Sequence, residues 1–435
     1  MAITITDQPT NFAKVGQKLM IVATSTNVAQ PNFRYVVRLY NTQLSELMTE
    51  MIVPPNPANR LMFDCSQVLM HEVALNVYNP ASERNYINSS FVSVETDKYN
   101  CIIITDIKIY EAYDVGGVFT IDEESETVLD TKHVINAAYT VADGYKPDPN
   151  LAYSYTSTTS LLMGSRKPNT NYPSALAGAT PSSQRVFIPV RKSELDWGTI
   201  AMIAQGAPTD VLTTTDDPTL RMTLYESDGT PNTSLYTGFV SMDINFLGVY
   251  PANLNAHGEL LKPEDYPNWR YYDIAMYDST NTSRKSALYT FYPVDDDCTF
   301  DNVRLAWWDD VVGGFDFFNF QRKNEITMEV ERKRIKPVVG TYDAATFSFN
   351  TFDAEIKEGM IDAVDYLEVT SGWIQEGEFE LLKHLVKSKL VYIVNDDATL
   401  TPVVMETNSF LVNKERNAKL KSVSFRLRIA QQNIQ

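Results

Sequence analysis

Val303 to Phe320, VRLAWWDDVVGGFDFFNF, is the stretch on which the fold class turns. An aromatic strand runs into Gly313 and Gly314 and leaves through the alternating Phe315, Phe318 and Phe320. Two adjacent glycines permit a positive φ angle and a close backbone approach, so the pattern predicts two strands joined by a tight turn. Asp309, Asp310 and Asp316 are placed to bond backbone groups around that turn. Two readings share these aromatics: a core hairpin with no role beyond folding, or a contact surface for assembly. The interface candidates are Trp307, Trp308, Asp309, Gly313, Gly314, Phe315, Asp316, Phe318 and Phe320, together with Trp373 downstream.

Working toward the N-terminus, the same period-two texture recurs. Phe33, Tyr35, Val37 and Leu39 would share one face of a strand, with Arg34, Val36, Arg38 and Tyr40 on the other. Strand-like runs lie at Lys18 to Ala23, Leu61 to Phe63 and Cys101 to Tyr113, punctuated by Pro54, Pro55 and Pro57. Short strands with such turn signals predict an immunoglobulin-like β-sandwich over residues 1–143. Residues 144–184 are dominated by Ser, Thr, Asn, Pro and Gly, which predicts a long loop or an extended arm that could order against a neighbouring copy. Strands resume at Arg185 to Val190 and Leu220 to Glu226, in a second β-rich domain over 185–300. Its segment Asn268 to Asp278, NWRYYDIAMYD, echoes Asn32 to Asn41, NFRYVVRLYN, and leads through the polar Asp278 to Ser283 into a return strand at Ala287 to Tyr292.

Working toward the C-terminus, Gln375 to Ser388 places Phe379, Leu382, Leu385 and Val386 on one stripe of an amphipathic helix. Strand patterns at Tyr366 to Thr370, Leu390 to Val394, Val403 to Glu406 and Ser422 to Ile429 flank it, so 301–435 reads as an α+β domain. His384 lies beside Lys383 and is expected on the surface.

The composition, 44% hydrophobic and 21% charged with 24 Tyr and 20 Phe, is that of a β-rich globular chain. The formal charge of −18 has the wrong sign for binding phosphate backbones, which argues against sequence-specific nucleic-acid recognition while suiting a channel wall past which DNA slides. About −14 of that charge precedes residue 301. Cys65, Cys101 and Cys298 follow no metal-ligand spacing and are expected to be buried free thiols. The opening MAITITDQPT lacks the basic start and apolar stretch of a signal peptide, and no run is apolar enough to span a membrane as a helix. His71, His133, His257 and His384 fall in no nucleophile or metal motif, and no phosphate-cradling loop occurs. The expectation is therefore no enzyme, no cofactor and no metal, with Asp295, Asp296, Asp297 and Asp301 a solvated acidic loop lacking EF-hand spacing. A glycosidase that uses paired carboxylates beside Trp307 and Trp308 is the enzymatic rival.

The segment from Trp308 to Phe320 resembles one that recurs in neck and tail proteins of phages infecting Bacteroidetes, including crAss-like phages. Ser371, Gly372, Trp373 and Ile374, the acidic helix start at Glu376 and Glu378, and then Asn417 and Leu420 are similar to that family's last domain. Thr26, Asn27 and Gln30 to Phe33 are similar to its N-terminal sandwich. The likeness spans about the first 45 and last 140 residues, and it departs from the family where Asp309 or Asp310 stands in place of Asn. It implies a virion structural protein, assembled in the host cytoplasm, that forms a homo-oligomeric ring of about six or twelve copies. Neck, portal or tail proteins would be its neighbours, DNA would pass through its lumen without specific binding, and no membrane would be involved. The alternatives are a receptor-binding or tail-fibre protein and a capsid-associated protein.

Overall fold

The computed structural model describes residues 3–9, 12–42, 44–73, 78–79, 84–85, 92–94, 102–135, 162–163, 185–191, 196–203, 219–237, 244–277, 280–282, 284, 286, 288–294, 302–309, 314–322, 324–343, 345–348, 354, 356–374, 376–407 and 422–430. The molecule is mainly β, as the aromatic alternation predicts.

The chain opens with β1 (Ile3–Asp7), β2 (Phe12–Lys14), β3 (Met20–Ser25), β4 (Arg34–Asn41), β5 (Glu46–Val53), β6 (Arg60–Asp64) and helix α1 (Ser66–Glu72). Three short strands follow, β7 (Tyr78–Asn79), β8 (Arg84–Asn85) and β9 (Val92–Val94), then the long β10 (Ile102–Val115), β11 (Val118–Val128) and β12 (Lys132–Ile135). One sheet has the order β1-β3-β6; the other runs β2-β12-β10-β4-β5, with β11 added to β10. Strand β2 runs parallel to β12, while β10 is antiparallel to both β12 and β4, the arrangement of an immunoglobulin-type sandwich. Phe33, Tyr35, Val37 and Leu39 all face inward, meeting Ile21 and Leu61 of the opposite sheet and Ile107 and Ile109 of β10. On the outer face Arg38 lies over the Tyr110 ring and is held by Glu50 and Glu123.

The middle of the chain contributes β13 (Leu162–Met163), β14 (Arg185–Arg191), β15 (Ile200–Ile203), β16 (Thr219–Glu226), β17 (Pro231–Tyr236), β18 (Ile244–Leu247), helix α2 (Pro251–His257), β19 (Trp269–Tyr277) and β20 (Leu288–Val294). They form a sheet of order β14-β20-β19-β16-β17 and a second, β13-β15-β18-β9, completed by a strand from the N-terminal part. Strands β19 and β20 pair antiparallel, as the polar turn between them predicts, and Tyr272 stacks on Phe291 at 4.8 Å. Pro251 starts α2, and Gly258 ends it in the left-handed region at φ 74°.

The last third contains β21 (Val303–Asp309), β22 (Gly314–Phe320), β23 (Asn324–Ile335), β24 (Thr341–Asp343), β25 (Thr346–Ser348), β26 (Lys357–Thr370), α3 (Glu376–Lys387), β27 (Val391–Val394), β28 (Leu400–Met405) and β29 (Ser424–Ile429). Its sheet has the order β22-β21-β27-β28-β29-β26-β23. Phe379, Leu382 and Leu385 pack α3 onto one face of that sheet.

Several expectations change. The core does not divide at residue 300, because Ala306, Trp308, Phe315, Phe317 and Val394 join Ile188, Leu220, Phe246 and Phe291 in one cluster. A sheet apolar on both faces serves two cores at once. Helices α1 and α2, seven residues each, are too short for a helical period to show in the sequence. Of the loop or arm at 144–184 only β13 is described, and it pairs with β15. Asp295, Asp296, Asp297, Asp301, Cys101 and Cys298 lie outside the described residues, and Cys65 is a buried free thiol.

Candidate functional site

The aromatic segment forms the two antiparallel strands its sequence predicts, with Trp307 facing Asp316 and Trp308 facing Phe315 across the ladder, and Gly314 is the first residue of the return strand rather than part of a turn. Alternation sends Leu305, Trp307, Phe318 and Phe320 to the α3 side. It sends Ala306, Trp308, Phe315 and Phe317 to the middle core. Phe315 therefore does not share a face with Phe318 and Phe320, because the odd spacings of three and five residues place them on opposite sides of the sheet. Trp307, Trp308, Asp309, Gly314, Phe315, Asp316, Phe318 and Phe320 are all buried within their own chain, so as placed they form a core hairpin rather than a contact surface. Gly313 and Asp310 lie outside the described residues. Trp373 differs from the rest, standing 70% exposed just before α3.

Two polar constellations flank the hairpin. On one side Arg304 of β21 and Asn319 of β22 reach a completely buried carboxylate, Asp196. Asp196 accepts from Arg191 Nε at 2.6 Å, from the Arg191 backbone N–H at 2.9 Å and from Asn319 Nδ2 at 2.7 Å, and Arg304 Nη1 lies 3.4 Å away. Burial pushes this carboxyl up, but the guanidiniums of Arg304 and Arg191 outweigh that and hold it below the ordinary carboxylate range. Arg191 also meets Asp396, and Arg304 donates to the Trp197 carbonyl. This cluster joins the middle segment to the last sheet. On the other side His384 Nδ1 lies 2.7 Å from the buried Asp309 carboxylate, so His384 is half-buried rather than on the surface. The helix that carries Leu381 and Leu385 inward brings His384 to the C-terminal end of β21.

The most exposed regular structure is the pair β23 and β26. Beyond Tyr366, where β29 stops pairing with β26, residues 328–335 and 357–365 continue as a two-stranded ribbon about 26 Å long. One of its faces carries Met328, Val330 and Ile361, all exposed; Met328 is 62% exposed and Ile361 52%. On the other face Glu331 stands directly opposite Asp362, a destabilising like-charge pair. Near the tip, Val338 is 96% and Phe347 58% exposed. The sequence signal for the ribbon is the alternation of Ile326, Met328 and Val330 with Glu325, Thr327, Glu329 and Glu331. Among the described residues no group of three or more His, Cys, Asp and Glu is arranged to hold a metal ion, and no helix is long and apolar enough to cross a membrane.

No family model and no curated protein matches the chain. Among solved structures, a tetra-tandem repeat in the extending region of a large adhesion protein matches over 93% of this chain and 76% of that one, at 8% identity and a TM-score of 0.19. A score that low carries no weight for fold or function.

Proposed function

We propose that this chain is a non-enzymatic structural subunit of a tailed phage particle, a ring-forming component of the neck or tail that helps build the conduit for genome ejection. The observation that carries the reading is the β23–β26 ribbon. A two-stranded hairpin in water is marginal alone, and this one exposes an apolar row along its length, so it is built to lie on something else. Trp373 adds a second exposed anchor. The resemblance of Trp308–Phe320 and of the region around Trp373 to phage neck and tail proteins supplies the class of assembly. The charge of −18 suits a conduit wall that DNA slides past.

The test is the mass of the purified full chain in solution, combined with electron micrographs of the same sample. Closed rings of about six or twelve copies support the proposal. Trimers redirect it to a fibre or receptor-binding protein, and a monomer at all concentrations removes self-assembly as the basis of function.

A further inference from the structure

We propose that the cationic stretch of the β23 edge docks on the acidic bulge of β11 in a second copy of this chain. The inference rests on the self-assembly reading above and names the surfaces that would carry it.

Both strands are sheet edges. Among the described residues β23 pairs with β26 alone, and β11 with β10 alone. The end of β23 and the residue after it read Arg332, Lys333, Arg334, Ile335 and Lys336, four cations in five positions, all exposed. In β11, Asp122, Glu123, Glu124, Ser125 and Glu126 place four carboxylates in five positions with the same gap. The signs therefore match place for place with the strands parallel. Antiparallel, Arg332, Arg334 and Lys336 still fall opposite Glu126, Glu124 and Asp122.

Internal partners neutralise each set only in part. Arg334 pairs with Glu358, Glu123 with Arg38, and Glu126 with Lys108. No ion pair among the described residues reaches Arg332, Lys333 or Lys336. Exposed apolar side chains flank both charge runs: Ile335, Met360 and Ile361 on the ribbon, and Val118, Phe119 and Val128 on β11.

The bland reading is that charges on edge strands merely prevent pairing. That holds for two cationic stretches laid side by side, or for two β11 edges, which would repel. It does not hold for the cationic stretch against β11, which attract. The ladders slip at Lys333/Arg334 and again across Glu123 to Glu126, so a continuous backbone ladder is disfavoured and side chains make the contact. The body of the chain carries most of its charge of −18, which makes a second copy the acidic surface nearest to hand for the cationic end of β23.

The experiment uses the full chain in two variants. One carries Arg332→Glu, Lys333→Glu and Lys336→Glu; the other carries Glu123→Lys and Glu124→Lys. Circular dichroism and melting curves establish that each folds. Sedimentation velocity should show the wild type associating and each variant alone weaker by about tenfold or more. An equal mixture of the two should recover association, because each reversed edge then meets its complement. Zero-length carbodiimide coupling of a mixture of isotopically light and heavy wild type should join Lys333 or Lys336 of one copy to a carboxylate of Asp122–Glu126 in another.

Variants that associate like the wild type overturn the docking and leave self-assembly standing. Folded variants that fail both alone and mixed also overturn it. A wild type that stays monomeric to about 100 µM removes both readings. If that monomer binds anionic lipid vesicles or duplex DNA and the ribbon variant does not, the cationic stretch serves an anionic surface instead.

Discussion

Replacing Asp196 with alanine should destabilise the protein by about 3–5 kcal/mol, the range for removing one partner of a buried ion pair. The carboxylate is wholly buried and answers two guanidiniums, those of Arg191 and Arg304, which are themselves 6% and 2% exposed. In its absence Arg191 keeps Asp396, whose side chain is 64% exposed and compensates poorly. Arg304 keeps the Trp197 carbonyl, Asn319 and the rings of Tyr250 and Phe317, none of them charged. Urea unfolding followed by tryptophan fluorescence reads the effect, since Trp269 and Trp308 both lie in the adjoining core. Glu50→Ala is the control, because its pair with Arg38 is partly solvated and should be worth under about 1 kcal/mol. The acid limb provides a second readout. Asp196 titrates below its unfolded value of about 3.9, so its stabilisation is present above that pH and is lost as pH falls through the folded value. Asp196→Asn should flatten that part of the acid unfolding curve. A loss no greater than that of Glu50→Ala, with the acid limb unchanged, would refute the view that this cluster locks the middle segment to the last sheet.

Burial lowers Lys132 to about 8, so the folded state binds fewer protons than the unfolded chain between that value and about 10.4. Lys132→Met should therefore be most favourable relative to wild type below pH 8, with its advantage shrinking as pH rises toward 10, as read by melting temperatures across that window. Met328→Lys with Ile361→Lys, both on the exposed ribbon face, should change stability by no more than about 0.5 kcal/mol each while weakening self-association in sedimentation. Leu382→Ala, in the α3 core, should instead cost about 2–5 kcal/mol in the same unfolding assay.

Strand β4 was legible because one of its faces is wholly apolar core while the other mixes Arg34, Arg38 and Tyr40 with the buried Val36, so a period of two is written directly into Phe33, Tyr35, Val37 and Leu39. The two strands of the aromatic hairpin were legible from their alternating aromatics, but Gly314 opens β22 rather than forming a turn, and Gly313 lies outside the described residues. Which core each phenylalanine enters was not legible, because a strand buried on both faces shows an unbroken apolar run. Helix α3 follows its stripe within one residue at each end, yet the same sequence hides the partner of His384, since Asp309 lies 75 residues away. The Asp196 cluster is hidden likewise, with Asn319 at a separation of 123 residues. In the ribbon the pattern is visible, but a period-two apolar row predicts a core face, and here that face meets solvent. Local patterning states which side chains share a face; it does not state what covers them.

That distinction bears on how the subunits would meet. If exposed edges were only protected against aggregation, either sign would serve on any strand. The cations are instead gathered at the end of β23, beyond its own Glu325, Glu329 and Glu331, and the carboxylates in β11, so two cationic stretches repel while a cationic stretch against β11 attracts. Unlike edges can generate a heterologous interface, which closes into a ring or continues as a filament, or a reciprocal two-fold pair in which each ribbon lies on the other copy's β11. Disulfide trapping separates contacts between unlike edges from contacts between like ones. With Cys101→Ser and Cys298→Ser in the background, Lys333→Cys alone should yield no more linked dimer than that background, whose remaining Cys65 is buried, with a thiol that burial pushes up to about 12. Mixed with Glu124→Cys in the same background it should yield a linked pair. Dimers from Lys333→Cys alone would place two β23 edges side by side, and the charge argument would fail at its first step.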